Sequence, residues 1–163
     1  MIELVWFDGL TNVKGAIVAD EDELHLGVLC FVVHRAIETR VLAGLAEAGF
    51  DDITQAQGRV AARIAEHGTR IGELAEQAQV TKQTATALVD HLERRGYVRR
   101  VADPADARAT LVVFADRGAE AIAVARRVER EVHAEWEQHL GKARTRALRD
   151  ALERLREITD PYA

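Results

Sequence analysis

The stretch from Ile71 to Gly96 constrains the fold more than any other part of the chain. A short helix pattern runs to Gln77, residues 78–80 form a turn, and a longer helix pattern begins at Thr81. Threonine is a good N-cap residue and glycine a good C-terminal stop. The apolar face of the longer helix is made of Ala85, Leu88, Val89 and Leu92. Its first turn is polar, so the two helices can pack together and leave that turn in water.

A hairpin is predicted directly after this helix pair. Residues 97–101 and 110–114 are short β-prone runs, and residues 102–109 between them are rich in turn formers. The sequence therefore predicts two strands joined by a long tip.

Further helices are predicted on both sides of this segment. Their spans are 20–48, 54–67, about 116–140 and about 142–159. The first begins with four acidic residues, which suit a helix N-terminus, and Gly49 and Gly68 are expected to stop the first two, with His67 as a cap residue. The first is apolar around most of its circumference, and the last two each carry an apolar stripe. A monomer would leave these surfaces uncovered, which favours burial against a second subunit.

Composition excludes several classes of protein. With 48% hydrophobic and 30% charged residues, the 163-residue chain has enough apolar side chains to fold as one compact unit.

A single cysteine, Cys30, excludes an intramolecular disulfide and fits a reducing cytosol. Residues 1–19 are fairly apolar, but Glu3 and Asp8 stand where a signal peptide needs positive charge, so we expect a cytoplasmic protein. We expect no enzyme, because the chain lacks a glycine-rich phosphate loop, a nucleophile elbow and an HExxH motif.

Charge is distributed unevenly along the chain, which is acidic overall at −5. Residues 1–53 carry ten acidic and three basic side chains, whereas residues 79–109 carry six basic and four acidic ones. Charges further apart than about 8 to 10 Å are largely screened at physiological salt, so a local basic face can contact phosphates in an acidic protein. An ordinary solvated surface is the alternative interpretation of the same charges.

Residues 54–118 resemble the winged helix-turn-helix of the MarR family. The motifs that carry the resemblance are Gly72-Glu-Leu-Ala75, Val80-Thr-Lys-Gln-Thr84, Leu88-Val-Asp-His-Leu-Glu-Arg-Arg-Gly-Tyr-Val98, and Asp103-Pro-Ala-Asp-Ala-Arg108 with the downstream Gly118. The resemblance extends over about residues 20–160. The fold class it implies is mainly α with a small β-hairpin wing, a winged helix-turn-helix plus a helical dimerisation domain.

The resemblance implies a domain plan and a set of partners. Residues 1–19 are an N-terminal extension, residues 20–53 and 115–163 form the helical dimerisation domain, and residues 54–114 form the DNA-binding domain. The protein is expected to be a homodimer that binds a pseudo-palindromic double-stranded operator, with half-sites roughly 34 Å apart. We expect a repressor released by a small, phenolic ligand, with no cofactor and no membrane partner. The family's threonine before the helix after the wing is Ala115 here, so we expect Asp116 to be that helix's N-cap.

The resemblance also assigns DNA contacts. The first turns of the recognition helix would present hydroxyl, amide and amine groups to the major groove, from Thr81, Lys82, Gln83, Thr84 and Thr86. Arg108 would enter the minor groove from the wing, while Asp106 either orients it or pairs with Arg100. A second group, His91, Arg94 and Arg95, would contact backbone phosphate or form a solvated face.

Two features suggest alternatives. Leu29-Cys-Phe31 with His34 one helical turn after Cys30 resembles the first-helix motif of organic-hydroperoxide-sensing relatives, with His34 in place of the tyrosine expected there. The motif predicts a redox-sensing regulator; a cysteine that only fills the core is the other interpretation. The acidic net charge leaves open a dimeric winged-helix interaction module without DNA binding. His133 and Glu137 share a helix face, but without a companion cluster they favour a surface pair, and no metal site is expected.

Overall fold

The computed structural model describes residues 24–162, so the predicted N-terminal extension 1–19 and the acidic run 20–23 lie outside the described residues. The helices are α1 (Leu26–Glu47), α2 (Gln55–Ala61), α3 (Ile71–Gln77), α4 (Lys82–Arg94), α5 (Asp116–Leu140) and α6 (Lys142–Thr159). The strands are β1 (Thr69–Arg70), β2 (Val98–Asp103) and β3 (Asp106–Phe114). Within the described residues, the chain divides into two units, one ending at Ile37 and one beginning at Glu38.

The first unit contributes the beginning of α1 to the described structure. Its large apolar side chains are exposed at Leu26, Leu29, Val32 and Val33.

Helix α2 begins where the sequence predicts and ends earlier. Thr54 is its N-cap: the Thr54 hydroxyl accepts from the backbone N–H of Gln57, and the Gln57 side chain accepts from the backbone N–H of Thr54. The predicted end at His67 is wrong, because the last helical residue is Ala61. The Thr69 hydroxyl accepts from the Ala65 backbone N–H at 2.9 Å and donates to a backbone carbonyl nearby, which holds residues 62–68 as turns instead of a further helical turn.

The helix pair α3 and α4 has the predicted bounds. Gln79 in the turn between them has φ +55°, and the Thr81 hydroxyl caps α4 by accepting from the backbone N–H of Thr84 at 3.1 Å. Gly96 has φ +77° and stops the helix as expected. Leu74 of α3 and the buried face of α4 belong to one core with Val60, Tyr97 and Val112, among others.

The hairpin differs from the prediction. Strands β2 and β3 pair in regular register from Val98↔Phe114 to Ala102↔Thr110 and again, after an irregularity, at Asp103↔Asp106. Two residues, 104 and 105, lie between the last paired positions, so the predicted long tip over residues 102–109 is wrong. An aspartate side chain can stabilise a short turn by accepting a hydrogen bond from the backbone two residues later. Here the Asp103 carboxylate accepts from the Ala105 backbone N–H at 2.8 Å. Strand β1 pairs with β3 on its other side, which gives the sheet order β1-β3-β2.

Helix α5 begins against the wing with no linker. The expected Asp116 cap is wrong: Ala115 is the N-cap residue and makes no side-chain cap, while its backbone N–H donates to the Tyr97 carbonyl at 3.0 Å. Gly118 allows this close approach, because a Cβ there would lie 2.0 Å from the Tyr97 carbonyl oxygen.

The C-terminal helix is the least covered element of the second unit. Helix α6 has no buried residue, and its large apolar side chains are exposed at Leu148, Leu152, Leu155 and Ile158. Within residues 24–162, no helix is both long enough and apolar enough to cross a bilayer.

Candidate nucleic-acid interface

Helix α4 separates a core face from a polar first turn. Ala85, Val89 and Leu92 are buried, whereas the four predicted contact residues Thr81 to Thr84 are exposed. The hydroxyls of Thr81 and Thr84 lie 2.8 Å apart and satisfy each other. This leaves the Lys82 ammonium and the Gln83 amide as the groups most open to an incoming partner. Thr86 is half-buried, and its hydroxyl donates to the Lys82 carbonyl at 2.8 Å.

Two basic side chains near the C-terminal end of α4 contact other parts of the protein. His91 Nδ1 lies 2.8 Å from the Gln57 side-chain nitrogen, and the Arg95 guanidinium forms an ion pair with Asp52 at 2.9 Å. These two residues therefore have partners within the protein, whereas Arg94 is exposed and forms no ion pair within the described part of the chain.

Arg100 is committed to the protein as well. Its guanidinium donates to Asp90 at 2.6 Å and to Glu93, both on α4, and the Glu93 carboxylate also accepts from the Arg100 backbone N–H. The predicted pairing of Asp106 with Arg100 is therefore wrong. The two ion pairs fasten strand β2 to the recognition helix, and the Arg100 side chain is 26% exposed.

Arg108 lies beside the hairpin turn with its side chain exposed. Its backbone N–H donates to the Asp106 carboxylate at 3.0 Å. The alternative in which Asp106 orients Arg108 thus has a contact to support it, although the contact is made through the backbone. Of the six basic side chains in residues 79–109, the described structure leaves four outside ion pairs: Lys82, Arg94, Arg99 and Arg108.

Sequence reasoning missed a charged cluster at the end of α4. The Asp52 carboxylate accepts from the buried Tyr97 hydroxyl, from Arg95 and, at 3.0 Å, from Arg117 of α5. Arg117 also lies 4.4 Å from the Tyr97 ring centroid and donates to the Arg95 carbonyl. The cluster joins the loop after α1, the end of α4, the start of the wing and the start of α5. The one sequence signal of this cluster was the acidic pair Asp51 and Asp52.

The same contacts shift two pKa values. The hydrogen bond from Tyr97, followed by those of the arginines, lowers the pKa of Asp52 against the opposing effect of burial. Burial, followed by the hydrogen bond to Asp52, raises the pKa of Tyr97 to about 12. Both groups are therefore held in their usual neutral-pH forms, the tyrosine protonated and the aspartate ionised.

The predicted redox residues lie on α1. Cys30 is exposed in the described structure. His34 follows it by one turn and is also exposed.

The pair His133 and Glu137 lines a cavity of about 330 Å³ between α5 and α6. The remaining lining residues are Lys142, Thr145, Arg146 and Arg149. Within residues 24–162 no group of three or more metal-binding side chains is present.

These observations define a class of protein. A short helix, a tight turn, a helix with a polar first turn and a hairpin packed behind it form a winged helix-turn-helix. A sequence model of the MarR family matches residues 51–109, which cover α2 to the wing. The winged helix-turn-helix of this chain thus matches the MarR family, and the general function that this match and the fold support is that of a transcriptional regulator.

Several solved structures have the same fold. The transcriptional regulator Tm0710 from Thermotoga maritima is 29% identical, with 82% of this chain and 93% of that chain covered and a TM-score of 0.59. Wild-type MarR from E. coli in its apo form is 25% identical, with 82% and 98% covered and a TM-score of 0.65. A mutant of S. aureus MepR bound to an oligodeoxyribonucleotide is 19% identical, with 82% and 96% covered and a TM-score of 0.54. No curated protein sequence matches the chain.

Proposed function

We propose that this protein is a sequence-specific, double-stranded DNA-binding transcriptional regulator that acts as a homodimer. The observation that carries the proposal is the division of α4, whose core face is buried while its first turn, with Lys82 and Gln83, stands in water. A helix that presents amine and amide groups on one exposed turn is suited to the major groove, where base edges offer matching acceptors and donors. The MepR structure supports the proposal, since a protein of the same fold binds an oligodeoxyribonucleotide.

The wing supplies a second contact in this proposal. Arg108 is exposed beside the hairpin turn, outside any ion pair in the described residues, and a guanidinium is favoured in a narrow minor groove. Arg100 is a weaker candidate for a phosphate contact, because binding a phosphate would compete with its two carboxylate partners.

The second subunit is proposed to cover α6. Leu148, Leu152 and Leu155 are 41 to 47% exposed and lie on one face of that helix. Exposing a row of leucines to water is unfavourable, and such a contiguous apolar face is characteristic of a protein interface. A twofold pair of recognition helices would then read half-sites about one helical turn apart, roughly 34 Å.

A binding series tests the DNA-binding proposal. Selection from a random duplex library followed by fluorescence anisotropy should yield a pseudo-palindromic site, with affinity that falls steeply as salt rises. Lys82→Ala and Arg108→Ala should each weaken binding at least 5- to 10-fold and reduce the salt slope by about 2, because in the proposed homodimer each removes two cations from the interface, one per subunit.

Arg126→Ala is the matched control, since Arg126 is an exposed arginine on α5, outside the winged helix. It should leave the affinity within about twofold of wild type. Absence of binding to any selected duplex at low salt would instead favour the interaction module without DNA binding.

Repression and release by a small, phenolic molecule are part of the same proposal and rest on the family resemblance. A ligand that binds more tightly to a dimer with the wrong spacing of recognition helices shifts the population away from the DNA-binding form. A reporter under the selected operator should be silenced by the protein, and a panel of phenolic acids should lower the DNA affinity of the purified dimer.

The second candidate function is organic-hydroperoxide sensing, and the exposure of Cys30 favours it. Oxidation requires access to the thiol, which this position provides. The hypothesis predicts that cumene hydroperoxide releases the protein from DNA and that Cys30→Ser abolishes the release. Equal release from the variant would exclude Cys30 as the sensor.

A further inference from the structure

The wing is held to the rest of the winged helix at two levels along its length. Near its base, Arg100 of β2 is fastened to α4 by Asp90 and Glu93. Near its tip, the Arg70 guanidinium donates to the Asp103 carboxylate, with Nε at 2.8 Å. Because Arg70 belongs to β1 and β3 lies between β1 and β2, this side chain spans one strand to reach the end of the hairpin.

The backbone alone does not hold the tip to the core. Strand β1 pairs with β3 at Leu111 and Val112, whereas β3 from Asp106 to Thr110 pairs with β2 alone, at Asp106 and Thr110, with a register irregularity between them. A two-stranded ribbon is marginally stable and twists easily. The Arg70 contact lies in this unsupported part.

Asp103 is a buried junction of the turn. It is 8% exposed, one of its oxygens accepts from Arg70, and the other accepts from the Ala105 backbone N–H. Its register partner across the turn is Asp106, which lies 3.9 Å from the Arg70 guanidinium and accepts from the Arg108 backbone N–H. A continuous chain of contacts thus runs from the N-terminus of α3 to the backbone of Arg108.

Arg70 also occupies a position that links the two DNA-reading parts. It is the residue before α3, the first helix of the helix-turn-helix, so its backbone is fixed by that helix and by the pair with Leu111. A charge-assisted contact made by two donors fixes orientation as well as distance. The wing tip therefore takes its position from the same element that supports the recognition helix.

We propose that Arg70 and Asp103 are positioning residues for DNA binding, which hold the hairpin tip so that Arg108 reaches the minor groove in register with α4. The inference rests on the proposed function. Neither residue contacts DNA in this scheme, and both act through Arg108.

The sign of one substitution separates positioning from simple electrostatics. Asp103→Asn removes a negative charge from the winged helix, and long-range electrostatics alone would make DNA binding tighter. Positioning predicts the reverse, a loss on the order of tenfold, because one charge-assisted contact is weakened. Glu73→Gln is the matched control: it removes the same charge from an exposed residue of α3 close enough to Arg70 to influence it electrostatically. This control should bind DNA as tightly as wild type or more tightly.

A double-mutant cycle shows whether Asp103 acts through Arg108. In the Arg108→Ala background, Asp103→Asn should lower the affinity by less than twofold, because the contact that it positions is already lost. Arg70→Lys keeps the charge but loses the two-donor geometry, so it should fall between wild type and Arg70→Gln.

Hydrogen exchange of the free protein distinguishes a displaced wing tip from an unfolded variant. In the free protein, Asp103→Asn should speed amide hydrogen exchange at residues 105–110 and leave exchange in α3 and α4 unchanged. If the wild type binds the selected duplex and Asp103→Asn binds it equally tightly, the positioning role is overturned and the proposed function stands. Failure of the wild type to bind any selected duplex would overturn both.

Discussion

At the residue scale, the cluster around Asp52 connects the winged helix to α5 through side-chain contacts. One carboxylate accepts from a buried tyrosine and from two arginines on different elements, so all three donors are fixed by one group. Removing the carboxylate would leave a buried hydroxyl unsatisfied and two guanidinium groups without their partner. None of these contacts depends on DNA or on a second subunit.

The tyrosine gives a pH-dependent prediction. Because the folded-state pKa of Tyr97 is raised to about 12, the fold favours its neutral form. This contribution to stability is fully present below the unfolded pKa of about 10 and is lost as pH rises towards 12. Urea denaturation between pH 8 and 12 should therefore show a decline in the free energy of unfolding that is shallower in Tyr97→Phe.

At neutral pH the same variant should lose about 1 to 2 kcal/mol, because a hydrogen bond to a charged acceptor is removed. Tyr162→Phe is the control, since Tyr162 is 50% exposed. A steep alkaline decline that persists unchanged in Tyr97→Phe would show that another group is responsible.

At the scale of elements, the sequence predicts helices better than strands. The bounds of α3, α5 and α6 agree with the periodicity of their apolar residues, and α4 begins one residue after its predicted Thr81 cap. Such helices are determined by local spacing and capping, which a sequence shows directly. The end of α2 was missed because a residue beyond the helix, Thr69, bonds the backbone of the segment before it.

Strands depend on partners that are distant in the sequence. Residues 102–109 contain the turn formers of a loop, yet Ala102, Asp103 and Asp106 pair across the hairpin, and the Asp103 side chain closes the turn. Strand β1 has two residues and no alternation to detect, and it exists through its pairing with Leu111 and Val112. In the candidate site, local spacing predicts the exposed first turn of α4. The ion pairs of Arg70, Arg95 and Arg100 could not be predicted, because their partners lie elsewhere in the sequence.

At the scale of the whole molecule, the apolar face of α6 leads to a prediction about assembly. Leu152→Lys should leave a folded protomer, since the side chain is 46% exposed there, but should weaken the dimer about 100-fold or more, because a twofold interface carries the change twice. Analytical ultracentrifugation across a concentration series measures this dissociation constant.

Ala143→Lys is the matched control for that variant. It adds the same charge at an exposed position nine residues earlier, which is half a turn away and so on the opposite side of the same helix. Ala143→Lys should sediment like wild type. Identical dimerisation of the two variants would show that the leucine face of α6 is not the interface.

The close seating of Gly118 under the Tyr97 carbonyl has a mechanical consequence for the whole molecule. From this contact, the 25-residue α5 extends about 37 Å to Leu140. A tilt of about 5° about the Gly118 contact would move the Leu140 end by roughly 3 Å. In the proposed dimer, a small shift of that end would therefore be coupled to a rotation of the winged helix.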